Sequence, residues 1–575
     1  MAAPCMSRRT AKIVLWVSIV FLVVSVALLM IFPSIYKTQL KKDIALTDGS
    51  LLTGIWEDIP LPIYEKLYFF NVTNAEEFLK HGAPLNVTEI GPYTYSSRWV
   101  KKYPEWHSNH TVSYTETRTY QFVPSLSVGS EDDTINTLNG PMIIAANLLK
   151  DYNIAFRIAA SVFLGLEKET VVTQKSVKQL VYEGYEDPII KLAPLVIPDI
   201  PYKNGKFSWL YGKNATDDGL FTVFTGEDDP SLTNIINNWN GNEKLNFWNG
   251  DACNSINGTS IETGPPQPDE PDNYAFFQSI FCRTLTFNYT GDEHHFGVLT
   301  KRFKPTKDIF ANGTEYPPNA CFDIEERPSG VLDVRKCQFG APVLLSFPHF
   351  YMADPIYRKD IDGLEPNETH HGSHLDVDPV TGISLDVQIR FQVNVQMSRV
   401  RGVLQMDDVP EGVFPILWVG LEIHLTDDWS HFLKGKLNNP KIIAYTVLGS
   451  LVLISLALII WSLVVLKRSY SDEDDPLLDV KEEHKENLSK KVIVPNYNSS
   501  SSYRSNAERR ALKEAESHSV NNADTRQEAY DEDDGFHILL NENYCFRRMK
   551  CYFYEEGAHA SQEEKMLIII SRSVL

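Results

Sequence analysis

Two uninterrupted apolar runs bracket a long stretch in which hydrophobic and polar positions mostly alternate. The first covers residues 13–32 and the second residues 442–466, and neither contains a charged side chain. Each reaches the roughly 20 residues that a helix needs to cross about 30 Å of hydrocarbon. Between them, YTYSSRWVKKY (93–103), HTVSYTETRTYQFV (110–123) and ISLDVQIRFQVNVQM (383–397) alternate apolar, β-branched or aromatic residues with polar ones. That period of two predicts half-buried strands, with Gly-Pro, Asp-Pro and Asn-Gly marking the turns. So many strands predict an antiparallel, barrel-like sheet. Residues 141–185 break the pattern: apolar positions recur at helical spacing, Ala is frequent, and no proline follows Pro141. Two or three helices are predicted here, either as a plain packing layer or as a mobile cap over a binding site.

Charge around the runs sets the orientation. Arg8, Arg9 and Lys12 precede the first run and Lys37, Lys41 and Lys42 follow it, while Lys467 and Arg468 after the second favour a cytosolic C-terminus. Sequons break the tie: Asn71, Asn86, Asn109, Asn214, Asn257, Asn288, Asn312 and Asn367 all begin Asn-X-Ser/Thr triplets in the middle segment. Asn487 and Asn498 also match, but they lie beyond the second run and are expected to stay unmodified. The first run exceeds the roughly 7–15 residues of a signal-peptide core and lacks a cleavage site before Lys37, so it reads as an uncleaved signal anchor. The expected organisation is a cytosolic N-terminus (1–12), a span (13–32), a glycosylated ectodomain (33–440), a second span (441–466) and a disordered acidic cytosolic tail (467–575).

Composition narrows the function. The formal charge of −21 argues against nucleic acid. Cys5, Cys545 and Cys551 fall on the cytosolic side; Cys253, Cys282, Cys321 and Cys337 lie in the ectodomain, where an oxidising compartment allows two disulfides in three pairings. No HExxH, no GxSxG at a strand-to-helix turn and no phosphate loop occurs, so neither catalysis nor a cofactor is expected. His294, His295, His370, His371 and His374 read as polar loop residues rather than metal ligands. Glu227, Asp228 and Asp229 lack the spacing of a calcium loop. A two-span ion channel shares this topology, but the runs offer only Ser18, Ser25, Thr446, Ser450, Ser455 and Ser462 as polar positions.

Several strings then carry a resemblance. EIGPYTY (89–95), GYEDP (184–188), DGLFTVFTGEDD (218–229), FFQSIFCRTL (276–285), GAPVLLSFPHFYMADP (340–355), LDVDPVTG (375–382) and PILWV (415–419) occur in this order between the two runs. Over about residues 12–467 the chain resembles the class B scavenger receptors. The resemblance implies an α+β fold: two terminal transmembrane helices flanking a large antiparallel β-barrel-like ectodomain, with an apical helical bundle at 141–185 and an apolar tunnel. It also implies a receptor for lipids, lipoproteins or lipid-bearing particles, with self-association left open, at the plasma membrane or in endosomes and lysosomes. Cationic positions that would meet anionic ligands are Lys150, Arg157, Lys168, Lys175 and Lys178, with Phe156 and Phe163 as apolar contacts at the tunnel mouth. The family pattern pairs Cys253 with Cys321 and Cys282 with Cys337. Many members add a third bridge where this chain has Asp323, so the loop between Cys321 and Cys337 is expected to be looser or held only by the two flanking bridges. A second reading within the family is an endolysosomal sorting receptor for a lumenal enzyme.

The tail holds addresses. EDDPLL (473–478) places Glu473 four residues before Leu477 and Leu478, resembling the acidic dileucine signals read by clathrin adaptors. Ser573, Val574 and Leu575 fit a PDZ ligand, in which a terminal apolar side chain is buried and a strand is added to a sheet edge. Cys5 is close enough to the first span for palmitoylation.

Overall fold

The computed structural model describes residues 7–195, 200, 202, 204–267 and 271–474. The readings made for Cys5, Leu477, Leu478 and the C-terminal triplet lie outside these residues.

The principal helices are α1 (Arg8–Asp43), α2 (Gly140–Leu148), α3 (Ile154–Leu166), α4 (Val177–Val181), α5 (Pro188–Leu192), α6 (Asp427–Leu437) and α7 (Asn439–Asp474). Helices α1 and α7 contain the two apolar runs, and each is longer than its run, at 36 residues. The first continues through Pro33 to Lys41 and Lys42; the second carries residues 467–474, which the sequence assigned to the tail, as further helical turns. Both are long and apolar enough to cross a membrane. Their buried positions are small and recur every seven residues: Ala11, Ser18 and Ser25 on α1, Ser455 and Ser462 on α7. Small residues at that spacing let membrane helices approach closely.

The ectodomain is built on one fourteen-stranded sheet. Its longer strands are β1 (Ile63–Val72), β2 (Leu85–His107), β3 (Thr111–Phe122), β6 (Leu220–Phe224), β7 (Ile236–Trp239), β8 (Asn273–Gln278), β9 (Arg283–His295), β10 (Val298–Lys304), β11 (Val343–Ser346), β12 (His374–Val377), β13 (Ser384–Met397) and β14 (Gly412–His424); β4 (Thr134–Leu138) and β5 (Val172–Ser176) pair separately. The order along the sheet is β8-β9-β10-β12-β13-β14-β1-β2-β3-β6-β7, antiparallel at every pairing on this path, with β11 added on β13 and residues 361–362 pairing parallel with the start of β2. The three stretches predicted from alternation are β2, β3 and β13. The sheet nearly closes, because a short segment stitches its two edges together. Ile236 of β7 donates its N–H to Gly258 O (2.9 Å), while Thr259 N–H donates to Ala275 O of β8 (3.0 Å) and Thr259 O accepts from Phe277 N–H (2.9 Å).

The inserted segment differs in part from its expected form. Residues 141–185 do contain helices α2, α3 and α4, but Val172–Ser176 is a strand in register with β4. Its β-branched residues fit a pleated surface better than a helix, despite the Ala-rich flanks. Both bridges, Cys253–Cys321 and Cys282–Cys337, join the pairs that the family pattern implied. The loop between Cys321 and Cys337 is held by more than its bridges. Asp323 Oδ2 accepts from Gly313 N–H (2.7 Å), and Arg335 reaches Asp333 and Glu325, each at 2.7 Å.

Candidate functional site

Helix α2 starts where Asn139 accepts a hydrogen bond from Met142 N–H and Pro141 fits the first turn. Apart from Asn147, whose amide donates to Gln396 O, it is apolar all round, so it buries two faces. One face packs Met142, Ile143 and Ala146 into the core. The other borders a cavity of about 200 Å³ between α2, α5 and the sheet. Helix α5 is fixed at its start by Asp187, which accepts from Ile189 and Ile190 N–H at 2.9 and 3.0 Å. The sheet wall comes from β11, β13 and β14, through residues such as Val343, Phe391, Val393 and Leu417. Among the described lining residues none is charged, and Gln338, Tyr202 and Trp209 supply the only polar side-chain atoms. Such a lining solvates hydrocarbon and has little with which to orient a polar group.

A second feature lies on α3, capped by Asn153, which accepts from Phe156 N–H at 3.0 Å. Phe156, Ala160, Ser161 and Leu164 face inward; Ile154, Ile158, Val162 and Leu166, at four-residue spacing, are about half exposed. Leu404, 80% exposed, is held beside them by its N–H bond to Ser161 Oγ (2.9 Å). Exposed apolar ridges of this kind are common at interaction surfaces. No sequon falls between Asn109 and Asn214 or between Asn367 and the second span, so the ridge carries no glycan site of its own.

The residues singled out from sequence are spread around these features, and none lines the cavity. Phe156 is fully buried, stacked on Tyr152, which is a packing role; Phe163 is half-buried. Arg157 lies on α3 and donates to the carbonyls of Tyr152 (2.9 Å) and Arg401 (3.2 Å). Lys168 is exposed just past the end of α3, and Lys150 is exposed after α2. Lys175 sits over the Tyr185 ring and Lys178 pairs with Asp132 at 2.7 Å. Of the sequons, Asn86, Asn109, Asn214, Asn257, Asn288 and Asn367 are exposed. Asn71, Asn214, Asn312 and Asn367 use their side-chain amides in hydrogen bonds with the backbone. The cavity residues were missed because they come from segments far apart in sequence. The ridge was legible in the i, i+4 run from Ile154 to Leu166.

A polar constellation sits elsewhere on the sheet. Glu89 Oε2 accepts from His349 Nε2 (2.5 Å) and Trp418 Nε1 (2.7 Å), and the His349 and His371 rings stack at 4.2 Å. Each imidazole accepts a backbone N–H at Nδ1, His349 from Glu365 and His371 from Asn367, both at 2.9 Å. Both protons therefore sit on Nε2, and a metal there would face two backbone donors across reprotonated Nδ1 atoms; the trio does not fit a cation. Burial, then His349, holds the His371 pKa down to about 4, with His370 and Arg390 acting the same way and Glu89 opposing. Burial raises the Glu89 pKa, but the bonds from His349 and Trp418 outweigh it and leave it lowered. The folded state thus keeps His371 neutral, and its contribution is complete above the unfolded value near 6.5 and lost as pH falls toward 4. At pH 5 this costs about 2 kcal/mol. Thermal melting at pH 7.4 and 5.0 should show that loss in the wild type, and His371→Asn should flatten the difference.

The sequence matches the CD36 family over residues 16–466. It is 35% identical over 413 residues to scavenger receptor class B member 1 of Sus scrofa, covering 72% of this chain and 80% of that one. It is also 35% identical over 434 residues to lysosome membrane protein 2 of Homo sapiens, covering 74% and 88%. With two membrane-length helices flanking one nearly closed sheet, the chain belongs to the CD36 family of two-pass membrane proteins.

Proposed function

We propose that this protein is a lipid receptor that docks lipid-bearing particles on the α3 ridge and holds an apolar lipid in the cavity beneath α2 on its way to the membrane. The cavity carries the reading: an uncharged chamber between helices and sheet has no use for a polar ligand. The ridge, flanked by Arg157 and Lys168, suits a phospholipid surface, where apolar side chains insert and cations meet phosphate. Particles or lipoproteins are the partners this implies. EDDPLL at 473–478 supports residence in endosomes and lysosomes through clathrin adaptors, and Leu477→Ala/Leu478→Ala should move the protein to the cell surface.

The test separates capture from storage. Full-length glycoprotein would be purified and its retained lipids counted by mass spectrometry, alongside cell uptake of cholesteryl ester from labelled phospholipid particles. Ala145→Trp, which fills the cavity, should cut retained lipid at least tenfold while particle binding persists. Ile158→Asp/Val162→Asp should do the reverse to binding. Unchanged lipid in Ala145→Trp would sink the cavity reading. If that variant keeps its lipid and a lumenal hydrolase co-purifies through the ridge, the sorting-receptor reading takes its place.

A further inference from the structure

One row across the sheet places like charges face to face. In register, Arg302 of β10 lies opposite Asp376 of β12, Asp376 opposite Asp386 of β13, and Asp386 opposite His424 of β14. Two carboxylates directly opposed on adjacent strands repel and need compensation. Asp376 is fully buried and the Asp386 side chain is 13% exposed, so water supplies little of it. Imidazoles converge instead: His295 Nε2 lies 2.6 Å from Asp376 Oδ2, His374 Nε2 2.7 Å from Asp386 Oδ1, and His424 Nδ1 2.8 Å from Asp386 Oδ2.

We propose that His295, Asp376 and Asp386, with His374 orienting Asp386, form a binding site for a divalent transition-metal cation of the Zn2+ class. The ligand atoms of His295, Asp376 and Asp386 already lie within 4.8 Å of one another, and His374, 2.7 Å from Asp386 Oδ1, orients that carboxylate from outside the group. Imidazole with carboxylate is the donor set of zinc and its neighbours, and three such ligands leave the fourth tetrahedral position to water. The tautomers permit it. Among the described residues nothing hydrogen-bonds Nδ1 of His295, so the proton can sit there and leave the Nε2 lone pair for a metal. That separates this cluster from the Glu89 trio, where backbone donors fix the opposite tautomer.

Charge balance agrees. Arg302 binds Asp376 through Nε (2.8 Å) and Nη2 (2.7 Å) and reaches Glu293 at 3.0 Å; Lys66 pairs with Glu422 at 2.6 Å. The carboxylates of Asp376, Asp386, Glu293 and Glu422 meet Arg302, Lys66 and a charged His424, whose bonds to Asp386 and Glu422 hold its pKa up to about 9, which leaves one negative charge for a cation to offset. Arg302 and His424 then act as outer partners that orient the carboxylates, as hydrogen-bonded neighbours do around metal ligands. Because the ligands come from β9, β12 and β13, a bound ion would cross-link three strands of the ectodomain wall.

The test uses the full-length glycoprotein, purified in detergent through a tag without histidine and stripped with EDTA, then titrated with ZnCl2. One zinc per chain by elemental mass spectrometry is expected, with X-ray absorption showing only nitrogen and oxygen ligands. His295→Gln and His374→Gln should each weaken binding at least tenfold, while His370→Gln, outside the cluster, should leave it unchanged. His295 is part exposed near a strand end, so its variant should fold; its melting temperature without zinc should match the wild type. No zinc at micromolar concentration, sulfur ligation, or full retention in both cluster variants would overturn the site.

Discussion

Lys101→Met should destabilise the ectodomain by about 3–5 kcal/mol, the usual cost of stranding a buried charge. The Lys101 ammonium is fully buried, 2.5 Å from Glu116 and 2.5 Å from Glu262, whose side chains are 8% and 3% exposed. Burial opposes its charge, but Glu116 and Glu262 outweigh that and hold its pKa above the ordinary value. Glu116 is burdened by burial in the same way, yet Lys101 and then Arg118 pull it down to about 2. Removing the ammonium leaves Glu262 with Ser260 as its remaining hydrogen-bond partner, while Glu116 keeps Arg118. Lys101→Met/Glu262→Gln should therefore recover most of the loss. Denaturant unfolding of the three forms checks this, and a double variant no better than the single one would refute the accounting.

The second large effect is expected at Gly258→Val, which should block closure of the sheet and keep the protein from maturing. Gly258 has φ +113, a conformation that side chains rarely adopt, and a Cβ there would lie 2.6 Å from Ala275 O and 2.8 Å from Phe276 N. Those are backbone atoms of β8, so relief requires the stitching segment to move away from the edge it joins. Strain at that φ adds about 1–3 kcal/mol to the overlap. Loss of complex glycans with retention in the endoplasmic reticulum is the readout; a variant reaching wild-type maturity with unchanged melting would show that Gly258 is dispensable.

How far each feature could be read from the chain depended on the range of the interactions behind it. The membrane helices rest on local composition, and β2, β3 and β13 on local alternation; both were legible. The disulfide pairing was not in the spacing and came only through family resemblance. Within WVKKY the alternation makes Lys101 one more strand residue, and only its meeting with Glu262, 161 positions away, explains why a lysine points inward. The cavity wall was hidden for the same reason: Leu148, Phe391 and Leu417 carry the pattern of ordinary core residues, and a space left unfilled has no sequence period. The β5 strand was misjudged because its pairing with β4 outweighs the helical character of its neighbours.

Strand β1 follows the first membrane helix and β14 precedes the second, and the two are hydrogen-bonded neighbours from Ile63–Ile423 to Phe69–Leu417. A lateral pull on one membrane helix against the other that overcomes the packed segments 44–61 and 427–437 would meet this seam at Ile63–Ile423 and open it one rung at a time, as a zipper rather than in shear. The two strands that chain order joins to the membrane helices are therefore one hydrogen-bonded pair, and the second of them, through Leu417 and Val419, also walls the cavity.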